Sequence, residues 1–255
     1  MKYSRYIYAI SVIVLLIICI ISYFVYSSSV IETFKVDNNI YLTQEETINF
    51  IRNDTDKYIS SLSPFDLEAR DVRSPQEYMN KIINDCYNFT DSQKTKLNNC
   101  SKIARNFFDN NYVWKFAVIG DVYEEGFPHT RTDIIFISPK ILNYNETDLI
   151  TILIHESIHI YQRYNKTEMN KYLKDKGYSV SRRRDSEPFI RANPDLDEYI
   201  YKDKNGDELL YLYKSSMPNG INDIIPNKNE HPFETMAYEI SEQYSKSKLS
   251  KYKDI

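Results

Sequence analysis

The chain has 255 residues, a formal net charge of −4 at pH 7, 27% charged and 42% hydrophobic residues, and five glycines. That length suits one catalytic domain with a further short segment, and the acidic balance argues against a nucleic-acid-binding surface. Three cysteines are too few for a disulfide-built scaffold, and none stands at the spacing of a cysteine zinc motif.

Residues Ile7 to Tyr26 carry no charge, and the centre of this stretch, Val12 to Ile21, is almost wholly aliphatic. A segment of that length matches the apolar core of a bilayer. Lys2 and Arg5 precede it and tyrosines stand at both ends, as at a membrane interface. The expectation is a signal-anchor over residues 1–29, making a single-pass membrane protein with a cytoplasmic N-terminus and an extracytoplasmic body. The alternative is a cleaved signal peptide with its site near Ser27 to Ser29.

Residues 30–111 read as a helical accessory lobe. Thr43 followed by Glu46 is a capping-box start leading into Ile48, Ile51, Tyr58 and Ile59. Ser74-Pro75 opens a second helix reaching about Cys86, and Thr90 with Gln93 opens a third reaching about Phe108. Cys86 and Cys100 fall in the second and third of these helices, where a disulfide and two buried thiols are both open readings. Five Asn-x-Ser/Thr sequons, at Asn53, Asn88, Asn99, Asn145 and Asn165, permit glycosylation.

Residues 112–255 read as the catalytic core. Tyr112 to Ile119 and Thr132 to Ile137 have the apolar, β-branched character of strands, with Gly120 to Arg131 as the loop between them. In that loop His129 and Arg131 are candidates to stabilise an oxyanion or bind a substrate carboxylate. A hydrogen-bonded His and a solvated Arg would look the same. Asn145 to Asp148 supplies a cap and early acids for an apolar helix that contains His155-Glu156-Ser157-Ile158-His159. This is an H-E-x-x-H pentapeptide, and it holds two of the chain's four histidines. Residues four apart share a helix face, so His155 and His159 can address one metal ion while Glu156 acts as general base. Further on, Ser181 to Asp185 reads as a solvated loop, and Asn205-Gly206 as the turn of a hairpin between Asp197–Tyr201 and Glu208–Tyr213.

A catalytic zinc usually takes a third protein ligand. Pro232 suits a first helical position, and Phe233, Met236, Ala237 and Ile240 recur at helical spacing. Glu234 stands beside that stripe, and the small Ala237 one turn later allows a close helix approach. His231 and Glu230 compete with Glu234 as third ligand. Tyr238 is a further oxyanion candidate.

An H-E-x-x-H followed much later by E-x-x-A on a second helix resembles the zincin metallopeptidases of the gluzincin type. The phrases HESIHIYQ and HPFETMAYEI are also similar to uncharacterised metallopeptidase-like proteins of large DNA viruses. The resemblance covers roughly residues 114–244. It implies an α+β, zincin-like fold with a small mixed sheet, zinc held by His155, His159 and Glu234, Glu156 as base, and a peptide or protein substrate. It also implies a strand lining the cleft, for which Ile134 to Ile137 is the candidate edge. Two departures stand out. The gap to Glu234 is longer than in the thermolysin group, and Tyr238 occupies the position where that group has an Asp. Glu239 and Asp133 are the candidates to orient the first histidine, His155. The rival readings are a zinc-binding protein without turnover and a zinc hydrolase of a non-peptide amide.

Overall fold

Capping chemistry starts the helices where the sequence places them. In the computed structural model, which describes residues 39–108, 111–225 and 230–251, helix α1 (Gln44–Asn53) begins at a Thr43/Glu46 capping box. Helix α2 (Pro64–Ala69) begins at a Ser63/Asp66 box, α3 (Pro75–Ile83) at Ser74, and α4 (Asp91–Phe107) at a Thr90/Gln93 box. Each cap satisfies amide groups that the helix itself leaves unbonded and contributes about 1 kcal/mol. The short α2 is an addition to the expected helices, and α3 stops before Cys86. The apolar segment read from residues 7–26 lies outside the described residues, among which no helix is long and apolar enough to cross a membrane.

The central sheet is small and mixed. Strands β1 (Ile40–Tyr41), β3 (Lys115–Ile119), β5 (Ile134–Ile137) and β4 (His129–Arg131) lie in that order, and β2 (Cys86–Tyr87) also pairs with β3. Both β1 and β5 run parallel to β3, whereas β2 and β4 are antiparallel to their neighbours. Residues alternate between the two faces. Phe116, Val118, Ile135 and Ile137 enter the core that contains the metal-motif helix, with Leu97, Cys100 and Ala104 of α4. Ala117, Ile119, Ile134 and Phe136 enter a second core with Ile51, Tyr78 and Ile82 of α1 and α3. Because both faces are covered, β3 and β5 read as unbroken apolar runs.

The remaining elements are α5 (Pro139–Leu142), α6 (Glu146–Tyr164), α7 (Lys166–Lys176), a three-stranded sheet of β6 (Ser179–Arg183), β7 (Tyr199–Lys202) and β8 (Glu208–Leu209), and α8 (Pro232–Lys251). The whole is α+β.

Several expectations are corrected. No boundary falls at residue 111, because β1 and β2 from the supposed accessory lobe pair directly with β3. The run Ser181 to Asp185 is not all loop, since β6 pairs with β7 on the outer side of the hairpin. Of the two readings left open for Cys86 and Cys100, the structure has the buried free thiols. Ile134–Ile137 is an inner strand, and the sheet edge is β4, within the stretch read as loop.

The period of β4 also decides the place of Arg131. His129 and Arg131 stand opposite Phe136 and Ile134, and Thr130 stands opposite Ile135. Directly paired residues share a face, so Arg131 points away from the metal-motif helix. It is fully buried and bonds Asp54 at 2.6 Å, Asp56, and the Tyr123 hydroxyl at 2.8 Å. It is therefore neither a solvated arginine nor a group of the metal centre.

Removing one partner of a buried charge network leaves the others uncompensated, at a cost of about 3–5 kcal/mol. Arg131→Met is expected to lose stability of that order in denaturant titrations while its metal affinity stays at the wild-type level. A loss below about 1 kcal/mol would contradict the structural role.

Candidate metal centre

Helix α6 is apolar on most sides, with Leu149, Ile150, Leu153, Ile154, Ile158 and Ile160 buried. His155 and His159, one turn apart, project towards the first turn of α8. There the His155 Nε2 and His159 Nε2 atoms lie 3.1 Å apart. Glu234 Oε2 is 3.2 Å from the first and 3.7 Å from the second. A tetrahedral ion with bonds of about 2.0–2.1 Å holds its ligand atoms roughly 3.3 Å apart. The three groups could therefore hold one metal ion with little movement. Ala237, fully buried where α8 meets α6, leaves room for this approach.

The protonation states suit a cation. Burial drives the His159 pKa down to about 3, so the ring is neutral. Its Nδ1–H donates to Gln162 Oε1 at 2.9 Å. The Gln162 amide is oriented in turn by donating to the Phe233 carbonyl at 2.8 Å. That relay leaves the His159 Nε2 lone pair facing the cluster. Burial works against ionising Glu234, but the hydrogen bond from His155, the imidazoles and Asn193 hold its pKa below the usual carboxylate range. Burial likewise opposes protonating His155, but the Glu234 and Glu156 carboxylates raise its pKa, so proton and metal compete for that site. The amide of Gln162 thus orients His159. The candidates to orient His155 are engaged elsewhere, Glu239 with Lys176 at 2.8 Å and Asp133 with Lys115 at 2.8 Å.

The competing ligands are engaged elsewhere. His231 accepts from Phe233 N on Nδ1 at 3.2 Å and donates from Nε2 to the Tyr199 carbonyl at 3.3 Å. Both ring nitrogens are used in starting α8 and tying it to β7. Glu230 accepts from the Tyr211 hydroxyl.

Glu156 is buried beside the cluster and interacts electrostatically with His155 and Glu234. Burial raises its pKa, opposed by His155 and by the Thr130 hydroxyl. Thr130 Oγ1 donates to Glu156 Oε2 at 2.8 Å. The backbone of Thr130 is itself held by two side chains. Its N–H donates to Asp195 Oδ1 at 2.6 Å. Its carbonyl accepts from Arg163 at 2.9 Å, and Arg163 also bonds the Pro194 carbonyl at 2.6 Å. Asn193 donates to Glu234 Oε1 at 2.7 Å. The segment 192–195 thus braces both Glu234 and the strand behind Glu156.

A cleft of about 300 Å³ opens on the cluster, lined by His155, Glu234, Tyr238, Asn193, Asp195 and His129 among others. The half-exposed Tyr238 sets its ring 4.6 Å from that of His155. Burial and the Glu234 charge push its pKa up to about 12, so it remains an O–H donor. His129 stacks on Phe136 with centroids 5.1 Å apart, and its Nδ1–H donates to the Phe127 carbonyl at 2.9 Å. Burial lowers its pKa to about 4. His129 Nε2, buried and unbonded, therefore carries a lone pair and cannot donate to an oxyanion.

Of the expected site residues, His155, Glu156, His159 and Glu234 are brought together, Tyr238 and His129 border the cleft, and Arg131 lies outside it. Thr130, Gln162, Arg163, Asn193 and Asp195 were missed. Gln162 alone carried a local signal, three residues after His159 on the same helix. No family model matches the chain, and no curated protein or solved structure does.

Two outcomes are expected. In zinc titrations, Glu234→Ala should lose more than the 10–100-fold in affinity typical of outer partners, whereas His231→Ala should bind as the wild type does. The second concerns pH. Unfolded His129 takes a proton near the ordinary value of 6.5, but folded His129 takes it only near 4. Its contribution is fully present above about pH 6.5 and is lost as pH falls through 4. His129→Phe should therefore flatten the decline of stability over that window, measured by thermal melts at each pH. An unchanged slope would mean that His129 is not held neutral.

Proposed function

We propose that the chain is a zinc-dependent metallopeptidase with a gluzincin-like centre in a zincin-like arrangement. The observation that carries this reading is the convergence of His155 and His159 from α6 and Glu234 from α8, with Glu156 beside them. A two-His, one-carboxylate set is a catalytic zinc set with a fourth position open. When bound, zinc supplies Lewis acidity and lowers the pKa of a water molecule in that position. The apolar segment at residues 7–26 would anchor the site on the extracytoplasmic side of a membrane.

The side chains then divide the work. Thr130 holds Oε2 of Glu156, leaving Oε1 to take a proton from the attacking water and pass it to the leaving nitrogen. The raised pKa of Glu156 suits a carboxylate that first takes and then returns a proton. Tyr238, a neutral phenol beside His155, donates to the oxygen that gains charge during attack. Gln162 and Asn193 orient a histidine and the third ligand.

Glu156→Gln is expected to keep zinc while lowering kcat by about 10²–10⁴-fold, the usual contribution of a general base. Hydrolysis of a broad peptide library is the assay, with zinc content measured alongside. A zinc-loaded wild type that cleaves nothing would overturn the reading.

A further inference from the structure

The edge of β4 has no backbone donor left for a substrate. His129 and Arg131 face β5, so Thr130 is the residue whose N–H and carbonyl turn outward. Both are taken, by Asp195 and Arg163. The preceding outward-facing position is Pro128, which has no N–H. On the other side, Thr132 leaves the strand at a φ of 54°. A peptide cannot extend the sheet at this edge by strand addition, the mode expected from the sequence.

The cleft offers side chains instead. Among the described residues, three buried side-chain polar atoms lack a hydrogen-bond partner: Ser101 Oγ, His129 Nε2 and Arg191 Nε. The last two border the cleft that opens on the metal ligands. Buried polar atoms are nearly always paired with protein, water or ligand, so two that lack a protein partner in one cleft mark places for a ligand's polar groups. They are of opposite kinds. His129 Nε2 is an acceptor, because Nδ1 carries the proton. Arg191 is a cationic donor whose guanidinium lies 5.2 Å from the centroid of the Tyr211 ring. The Glu230 carboxylate, bonded to the Tyr211 hydroxyl, acts on Arg191 electrostatically but makes no ion pair with it. A planar guanidinium whose nearest carboxylate is held by another group is suited to bind a second one in two-point fashion.

We propose that the cleft holds its substrate by a carboxylate on Arg191 and a donor N–H on His129 Nε2, in place of backbone pairing with β4. Both residues border the same cleft of about 300 Å³ as His155 and Glu234. That volume is at the small end for ligand sites, so the recognised carboxylate lies close along the substrate to the bond presented to the metal. Two sources offer this chemistry: the free C-terminus of a peptide and an acidic side chain within it. The proposal deepens the metallopeptidase reading by naming a substrate class, but the binding it describes does not depend on turnover.

The test uses the full chain with Glu156→Gln, loaded with zinc. Three N-acetylated peptides of one length are titrated by calorimetry: a free acid, its C-terminal amide, and an amide carrying one internal Glu. At least one carboxylate-bearing peptide should bind about 10–100-fold more tightly than the plain amide, the range for hydrogen bonds to charged groups. Preference for the free acid assigns the C-terminus, and preference for the Glu peptide assigns the side chain. Adding Arg191→Gln should abolish the preference, and Arg191→Lys, which keeps the charge without the fork, should retain part of it. Equal binding of all three peptides, or binding of none, would overturn the proposal. So would a preference that survives Arg191→Gln, because a carboxylate held by zinc alone would behave that way. A carboxylate preference in a protein whose Glu156 form cleaves nothing would keep this inference and end the peptidase reading.

Discussion

Helix α6 is at once a core helix and the carrier of His155, Glu156 and His159, and burial leaves those side chains little or no water to bond with. Each must find a partner on another element. His159 is held through Gln162 to the start of α8, and both histidines face Glu234 from the same turn of α8. Glu156 bonds Thr130 of β4. The requirement that buried polar groups be satisfied thus ties together two distant helices, a sheet edge and a loop. Close approach is possible because Ala237 lies at the contact, where a larger side chain would hold α8 away from α6.

The same constraint shapes the sheet edge. A strand edge beside a cleft exposes amides that must pair with something. Here Asp195 and Arg163 cover both outward groups of Thr130. Their anchor, residues 192–195, also supplies Asn193 to Glu234. The loop before β4 is strained as well: Glu124, Glu125 and Gly126 have consecutive φ values of 48°, 52° and 74°. Left-handed backbone at the two glutamates costs about 1–2 kcal/mol each. It is offset by the Arg70 ion pair of Glu124 at 2.6 Å and by the bond of Glu125 to Ile221 N at 2.9 Å. Such strain is commonly found at functional sites, and Glu124 borders the cleft.

Local signals were read well where the chemistry was local. The capping boxes at Thr43 and Thr90, the cap at Asn145 and the i, i+4 spacing of His155 and His159 each involve residues within one turn. Strand β4 was missed because three polar residues, His129, Thr130 and Arg131, do not look like a strand. Their burial depends on Asp54, Asp56 and Asp195, all distant in sequence. The orienting role offered to Glu239 and Asp133 failed for the same reason. Each found a lysine nearby, and the amide that does orient a histidine, Gln162, acts on His159.

The sequence alone picked out His155, Glu156 and His159 as one candidate cluster, because a helix fixes the relation of residues three and four apart. It also picked out Glu234 from its place beside an apolar stripe with a small residue one turn later. Only the tertiary structure decided between Glu234 and His231. The choice turns on which face of the first turn of α8 meets α6 and which is used against β7. Likewise, only the pairing of β4 with β5 sent Thr130 to the base and Arg131 to the opposite core. Adjacent strand residues look alike in sequence but face opposite sides of a sheet, and the face is set by partners that the chain reaches only on folding.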